Sequence, residues 1–473
     1  MLALAACKSS GGSSSGTALD DAGATPFAYT PAGCAYTVTP PDVRAFFDVA
    51  LDDASPLADP TAAMPVRVRL GLGGSTTSGA PGYADPTTTM AFVWETAAAN
   101  TRAAKVRLGT SQSALTDVHT GFSFSIPPPS LGFGHEEPPA RLHEAHVCGL
   151  APATTYYYQV GGGAPGAEVW SATQSFTTVP STGPITIGVS GDSRDSMDIL
   201  QVVQQRMRDA AVTMQLFGGD LVFFGTQQSQ YTSWLDKTWK DDKGFLTLGQ
   251  QLIVPAAGNH EVESPQFFGA FALPGDGPYA ESFGSFDVGS AHIVFLDDEA
   301  IATLGDSDEA KAQLAWLDAD LARADQNRAA RPFVVVVHHR GEYATAENGG
   351  DPDIAAVRRA TVPIWQRHHV DLVLTGHSHE YERSKAITGA PDAPTLDPNG
   401  PTYVICAGAG ANAEVIGTTP VAHRALNVGY GKGTPYIGLY GLLTLDAKTL
   451  GWKAFGVKAS GSDDAIDTLT ISR

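Results

Sequence analysis

Several apolar runs in the second half of this chain end abruptly in glycine followed by side chains that bind metals. Gly191 and Asp192 follow one such run, and Gly218, Gly219 and Asp220 follow another. Gly258, Asn259, His260 and Glu261 follow a third, and Gly376, His377, Ser378 and His379 a fourth. A fifth run, 334–337, leads into His338 and His339 without the glycine. A buried strand fixes the direction of whatever follows it, so these blocks predict polar groups gathered at successive strand ends. Between the runs lie stretches with helical spacing. In 196–210, Ile199, Val202, Val203 and Met207 fall on one face. Region 306–326 opens with acidic residues and continues with Ala312, Leu314, Leu317 and Leu321. A third helix is expected over 353–368, kinked at Pro363. Strands alternating with helices predict an α/β layered domain with its ligands at the strand ends. The tail returns to strands over 403–406, 436–445 and 450–457, after a Gly/Pro/Asp loop near 389–400.

The first half has another texture. Short alternating stretches over 65–70, 88–95, 105–108, 120–126 and 155–160 are separated by turn residues, which predicts an all-β sandwich over 64–180. Trp94 reads as core, and His143 and His146, near a strand start, read as structural or exposed. Residues 17–63 read as irregular.

The chain has 473 residues, long enough for two or three domains, with 43% apolar and 17% charged residues. Its formal charge of -20 argues against binding nucleic acid by neutralising phosphates. There is no apolar run long enough to cross a membrane as a helix. Residues 4–7, Leu-Ala-Ala-Cys, look like the end of a bacterial lipoprotein signal, and Gly/Ser-rich sequence follows to Gly16. Residues 1–16 are therefore expected to be a signal remnant and tether, with a lipid on Cys7 as the only membrane attachment. That places the protein in a bacterial cell envelope, on the periplasmic or outer-membrane face, or outside the cell. Of the other cysteines, Cys34 and Cys148 could pair in such an oxidising compartment, leaving Cys406 at the end of a buried strand.

The strand-end blocks carry the chemistry. Asp192 and Asp220 offer hard oxygen ligands, with Asp220 the natural bridge between two ions. Asn259 offers a neutral carbonyl oxygen, and His338, His377 and His379 offer imidazole nitrogen. A mixed oxygen and nitrogen set suits Zn, Mn or Fe better than Mg or Ca. Two divalent or trivalent ions at about 3.5–4 Å could clamp both oxygens of a phosphoryl displacement.

Taken in order, these blocks resemble the motifs of the calcineurin-like metallophosphoesterases. His379 to Arg383 is similar to the last motif of purple acid phosphatases, Gln313 to Leu317 also fits the family, and 146–160 resembles the closing strands of their N-terminal fibronectin-III-like domain. The resemblance implies a four-layer-type α/β metallophosphoesterase domain over 184–473, preceded by that β-sandwich. It implies hydrolysis of phosphate esters, phosphatase-like, by water that the metals acidify. Metal one would take Asp192, Asp220 and His379. Metal two would take Asp220, Asn259, His338 and His377. His260 would contact phosphate or protonate the leaving group, and Arg194 and Arg340 would hold phosphate oxygens. A phosphodiesterase on the same site, or a surface binding protein on a degenerate domain, are the alternatives.

Two positions depart from the pattern. Purple acid phosphatases carry a tyrosine ligand three residues after the second aspartate, where this chain has Phe223. Other metallophosphoesterases carry a histidine two residues after the first aspartate, where this chain has Arg194. Metal one is left with three protein ligands, to be completed by water, His339 or Tyr231. His339 reads as a neighbour, because adjacent strand residues point opposite ways. A further histidine pair of the family has no match in 342–350.

Overall fold

A computed structural model describes residues 27–39, 47–51, 60–97, 101–126, 141–164, 166–238, 247–262, 264–276 and 279–473. Cys7 and the expected tether lie outside these residues, as does part of 17–63. Two large sheets carry the fold. One has eleven strands, in the order Phe47–Leu51, Phe122–Ser125, Arg141–Cys148, Thr89–Thr96, Val66–Gly71, Leu252–Pro255, Met214–Phe217, Ile185–Ser190, Gly438–Leu445, Thr449–Val457 and Asp464–Ser472. The other has seven, in the order Gly284–Val288, Ala291–Phe295, Phe333–Arg340, Leu372–Gly376, Thr402–Cys406, Tyr381–Ser384 and Arg424–Val428. In both, the strands that lead into the polar blocks are parallel neighbours near the middle. Their ends therefore reach the same edge.

The N-terminal part is a β-sandwich. Its second sheet contains Gln174–Thr177, Thr155–Gly162, Lys105–Gly109 and Asp117–Thr120. Phe92 on the first sheet meets Tyr158 and Phe176 on the second at ring-centroid distances of 4.9 and 5.6 Å. Trp94 is fully buried and stacks on His143. The sandwich is not a separate bead on the chain. Val66–Gly71 pairs in parallel with Leu252–Pro255, with Leu70 opposite Leu252, so its first sheet runs on into the C-terminal half. A disulfide joins Cys34 to Cys148, and Cys406 is a buried free thiol.

The strand Phe333–Arg340 shows how the layers assemble. Val335 and Val337 share a core with Ile185, Ile187 and Val189 of the eleven-stranded sheet. Val334 and Val336 face the other way, against Leu317 and Leu321 of the helix Asp308–Gln326 and Trp365 of the helix Pro352–Arg367. On the far side of the larger sheet, the helix Met197–Asp209 is anchored by a buried amide pair, Gln204 with Gln215. The order is helix, sheet, sheet, helix.

Three local expectations need correction, and a fourth is narrowed to its structural alternative. The buried face of Met197–Asp209 is Leu200, Val203, Gln204 and Met207, whereas Ile199 and Val202 are half-buried. Region 387–396 is a hairpin, Ile387–Ala390 against Ala393–Leu396, rather than a plain loop. A short helix, Asp298–Leu304, lies where none was expected, its N-terminus capped by Asp297. His143 and His146 are buried inside the strand Arg141–Cys148, and His146 is bonded to Glu144 and to the Tyr36 hydroxyl.

Candidate metal centre

The polar blocks converge where the two sheets meet. Asp192, Asp220 and His377 all adopt positive φ, at 59°, 55° and 70°, as each strand turns sharply into its loop. Non-glycine residues in that region cost energy and concentrate at functional sites. The glycines beside them are required by packing: a Cβ at Gly376 would overlap the Asp192 carboxylate, and one at Gly258 would overlap Asp220.

Four donor atoms form the tightest set. Asn259 Oδ1 lies 2.9 Å from both His339 Nε2 and His377 Nδ1. The two imidazole nitrogens are 3.2 Å apart, and His339 Nε2 is 3.3 Å from Asp220 Oδ1. These separations match the roughly 3.3 Å edge of a tetrahedron whose metal–ligand bonds are about 2.0–2.1 Å. Protonation supports the same conclusion. His339 Nδ1–H donates to the Gly218 carbonyl at 2.7 Å, so its Nε2 presents a lone pair. That lone pair faces Asn259 Oδ1 and an Asp220 oxygen, neither of which has a proton to give. A cation placed among these buried acceptors would satisfy them together. Asp192 Oδ2 and His377 Nε2 are also buried without a hydrogen-bond partner. Among the described residues, Asp192, Asp220 and His339 form the group whose ligand atoms are mutually close enough to hold an ion. The residues present fit a metal at Asp220, Asn259, His339 and His377.

His338, expected as a ligand, is turned away. Its ring lies on the helix side of the strand, with Nδ1 2.8 Å from Asp298 and Nε2 3.2 Å from Glu342. Burial opposes its charge, but the Glu342 and Asp298 carboxylates outweigh burial and raise its pKa to about 10. The premise that neighbouring strand residues face opposite ways holds. The face was misjudged, because His339 continues the inner row of Val335 and Val337. Arg340 continues the outer row with His338. Its guanidinium is paired with Glu299 and, at 2.7 Å, with Asp353, so it does not hold phosphate oxygens.

Arg194 does reach the centre, but onto the ligands themselves. Its Nη1 donates to Asp220 Oδ2 and to His379 Nε2, each at 2.8 Å. His379 is oriented by its Nδ1, which donates to the Asn412 carbonyl at 2.6 Å. Asp192 Oδ1 is 3.6 Å from His379 Nε2 and accepts the His377 backbone N–H at 3.0 Å. Burial and the Asp220 charge push the Asp192 carboxyl well above the usual range. Burial pushes Asp220 the same way, but the Arg194 charge and the His260 backbone N–H help to hold it below that range. His260 sits at the mouth, part-exposed. Its Nδ1 donates to the Phe223 carbonyl at 2.7 Å, and its Nε2 lies 3.9 Å from Asp220 Oδ2. Tyr231 is buried in the helix Gln228–Lys237, where burial and Glu261 push its phenol well above the ordinary value; a phenolate ligand needs the opposite.

Glu261 was legible as a motif residue but not as a part with a job. Its Oε2 accepts the backbone N–H of Asp220 and of Gly258, both at 2.8 Å. Its Oε1 accepts those of Leu221 at 2.9 Å and Val222 at 3.3 Å. One buried carboxylate thus ties the second block to the third.

Residues 81–178 match the purple acid phosphatase N-terminal domain, and residues 185–381 match the calcineurin-like phosphoesterase domain, together spanning most of the chain and both parts of the fold. By these matches the chain is similar to the calcineurin-like phosphoesterases. It is 32% identical over 289 residues to purple acid phosphatase 21 of Arabidopsis thaliana, covering 58% of this chain and 59% of that one. It is 26% identical to acid phosphatase type 7 of Danio rerio, covering 61% and 70%. The chain therefore spans about three-fifths of the plant relatives it matches. In structure it is similar to the purple acid phosphatase PPD1 of yellow lupin seeds, with a TM-score of 0.69 at 17% identity, over 87% of this chain and 75% of that one. It is also similar to PhoD, with a TM-score of 0.59 at 11% identity, over 89% and 92%. Both likenesses concern the fold. The family implies a dinuclear metal centre, and the residues that depart from it in this chain are at the metal site. No helix among the described residues is long and apolar enough to cross a membrane.

Proposed function

We propose that this chain hydrolyses phosphate esters, with monoesters as the first substrate class, at a metal site built on Asp220, Asn259, His339 and His377. The observation that carries this is the convergence of those four donor atoms at about the edge length of a metal tetrahedron. A bound Zn, Mn or Fe ion would neutralise phosphoryl oxygens and acidify water. The protein's own part is to fix those ligands and to place His260 at the entrance. With Nδ1–H held by Phe223, the Nε2 of His260 is the atom that exchanges a proton with a leaving oxygen. Domain limits of 64–180 for the sandwich and 184–473 for the catalytic part go with this reading. Metal content, measured together with turnover of a chromogenic monoester and a chromogenic diester, tests it. The wild-type protein should bind metal and cleave the monoester, and Asp220→Ala and His377→Ala should do neither. Faster cleavage of the diester would move the assignment to a phosphodiesterase. A folded protein with neither metal nor turnover would leave a binding protein on a degenerate domain.

The same proposal places the protein at the cell envelope, held by a lipid on Cys7. Two observations support it: the sequence 4–7 and its Gly/Ser tether, and a Cys34–Cys148 disulfide, which suits an oxidising compartment. Cys7→Ser should shift the protein from the membrane to the soluble fraction of expressing cells. An unchanged distribution would count against the anchor.

A further inference from the structure

Asp220 has two oxygens, and they face different partners. Oδ1 belongs to the set that fits a metal, 3.3 Å from His339 Nε2. Oδ2 accepts a hydrogen bond from Arg194 Nη1 at 2.8 Å. The same Nη1 donates to His379 Nε2, whose lone pair is free because Nδ1–H is given to Asn412. One guanidinium nitrogen therefore satisfies two of the three side chains assigned to metal one. The guanidinium thus brings a positive charge and directed donors to this position. A metal at this position would have to displace it.

The second departure lies against the first. Phe223 occupies the place of the tyrosine ligand, and the Arg194 guanidinium carbon lies 5.9 Å from its ring centroid, within the reach of a cation–π contact. A phenylalanine ring offers an electron-rich face but no ligand atom. The two positions that would complete a second metal are thus occupied by residues that suit each other and do not suit a metal. Tyr231 does not compensate, since its phenol is buried beside Glu261.

We infer that this centre is mononuclear, with the Arg194 guanidinium, backed by Phe223, standing in for the second metal ion of the family. The inference rests on the phosphoesterase reading above and sharpens it. Arg194 supplies a single positive charge and two directed N–H bonds, so Asp220 would serve one metal ion and one guanidinium. Asp192 retains one buried oxygen without a partner. A second ion would gain Asp192, Asp220 and His379 only after Arg194 had swung away.

Metal stoichiometry decides the matter without reference to activity. Protein loaded with excess Mn, Zn or Fe and then desalted should retain one equivalent, and the Mn form should give the electron paramagnetic resonance spectrum of an isolated ion. Arg194→His combined with Phe223→Tyr supplies a ligand atom at each of the two departing positions. It should retain two equivalents, with a spin-coupled Mn spectrum. Should that variant not fold, Arg194→Ala alone, monitored by circular dichroism, should still gain measurable binding of a second ion. Two equivalents and a coupled spectrum in the wild-type protein would overturn the inference while leaving hydrolysis intact. Retention of no metal by folded wild-type protein would overturn both readings.

Discussion

His339→Ala is expected to strip the metal site and to lower turnover of a phosphate ester by a factor of about a thousand or more. His338→Ala is expected to damage the fold instead. The first expectation follows from position. His339 Nε2 lies within 3.3 Å of three other donor atoms, and its tautomer is fixed by Gly218. Removing one ligand from a four-donor set forfeits several kcal/mol of charge stabilisation, and about 4 kcal/mol corresponds to roughly a thousandfold in rate. The second follows from burial. His338 is fully buried between Asp298 and Glu342, so alanine there strands two carboxylates. Breaking a buried pair of this kind costs about 3–5 kcal/mol. The pH dependence separates the two further. The folded-state pKa of His338 is raised from 6.5 to about 10, so its contribution is complete below pH 6.5 and is lost as pH rises toward 10. Denaturant unfolding across that range should show stability falling in wild-type protein and a shallower fall in His338→Ala. Metal analysis of both variants settles the assignment: a folded His338→Ala that loses its metal while His339→Ala keeps it would reverse the two roles.

That pair also shows where sequence stops being informative. Alternation along a strand establishes that His338 and His339 face opposite ways, but parity alone does not say which face is inside. The deciding neighbours, Gly218 and Asn259 on one side and Asp298 and Trp365 on the other, are distant in the chain. The blocks that end strands were legible because glycine and ligand residues are contiguous there. For the same reason Asp192, Asp220, Asn259, His377 and His379 stand where the motifs placed them, around one point. Arg194 and Phe223 were legible as departures from a pattern. Their contact with each other was not, since it depends on how two separate loops close. Arg340 was a plausible phosphate ligand until the unexpected helix Asp298–Leu304 supplied Glu299 as its partner. The sandwich was readable from its short alternating strands. Its continuity with the C-terminal strands rests on one backbone register, Leu70 with Leu252, which no local pattern encodes.

Glu261→Gln should be a severely damaging isosteric change. The carboxylate accepts four backbone N–H groups, two on each oxygen, all of them buried. An amide keeps one acceptor and turns an NH₂ toward the other pair of donors. Two buried N–H groups left unpaired cost about 1–3 kcal/mol each, so a loss of roughly 2–6 kcal/mol is expected. The damage is not confined to stability. Asp220 holds a left-handed backbone conformation at φ 55°, and strain of that kind persists only where its surroundings over-determine it. Glu261 is the group that does so, by binding the backbone N–H of Asp220 itself. Loosening that loop shifts the carboxylate shared by His339 and Arg194, and a displacement of about 1 Å is enough to cost on the order of a hundredfold in rate. Glu261→Gln should therefore lower the denaturation midpoint, weaken metal binding and reduce turnover together, although its side chain touches neither metal nor substrate. Glu261→Asp should fall short of the same donors and show the same three losses. A Glu261→Gln protein with wild-type stability and metal affinity would show that the Asp220 turn is held by its strands alone.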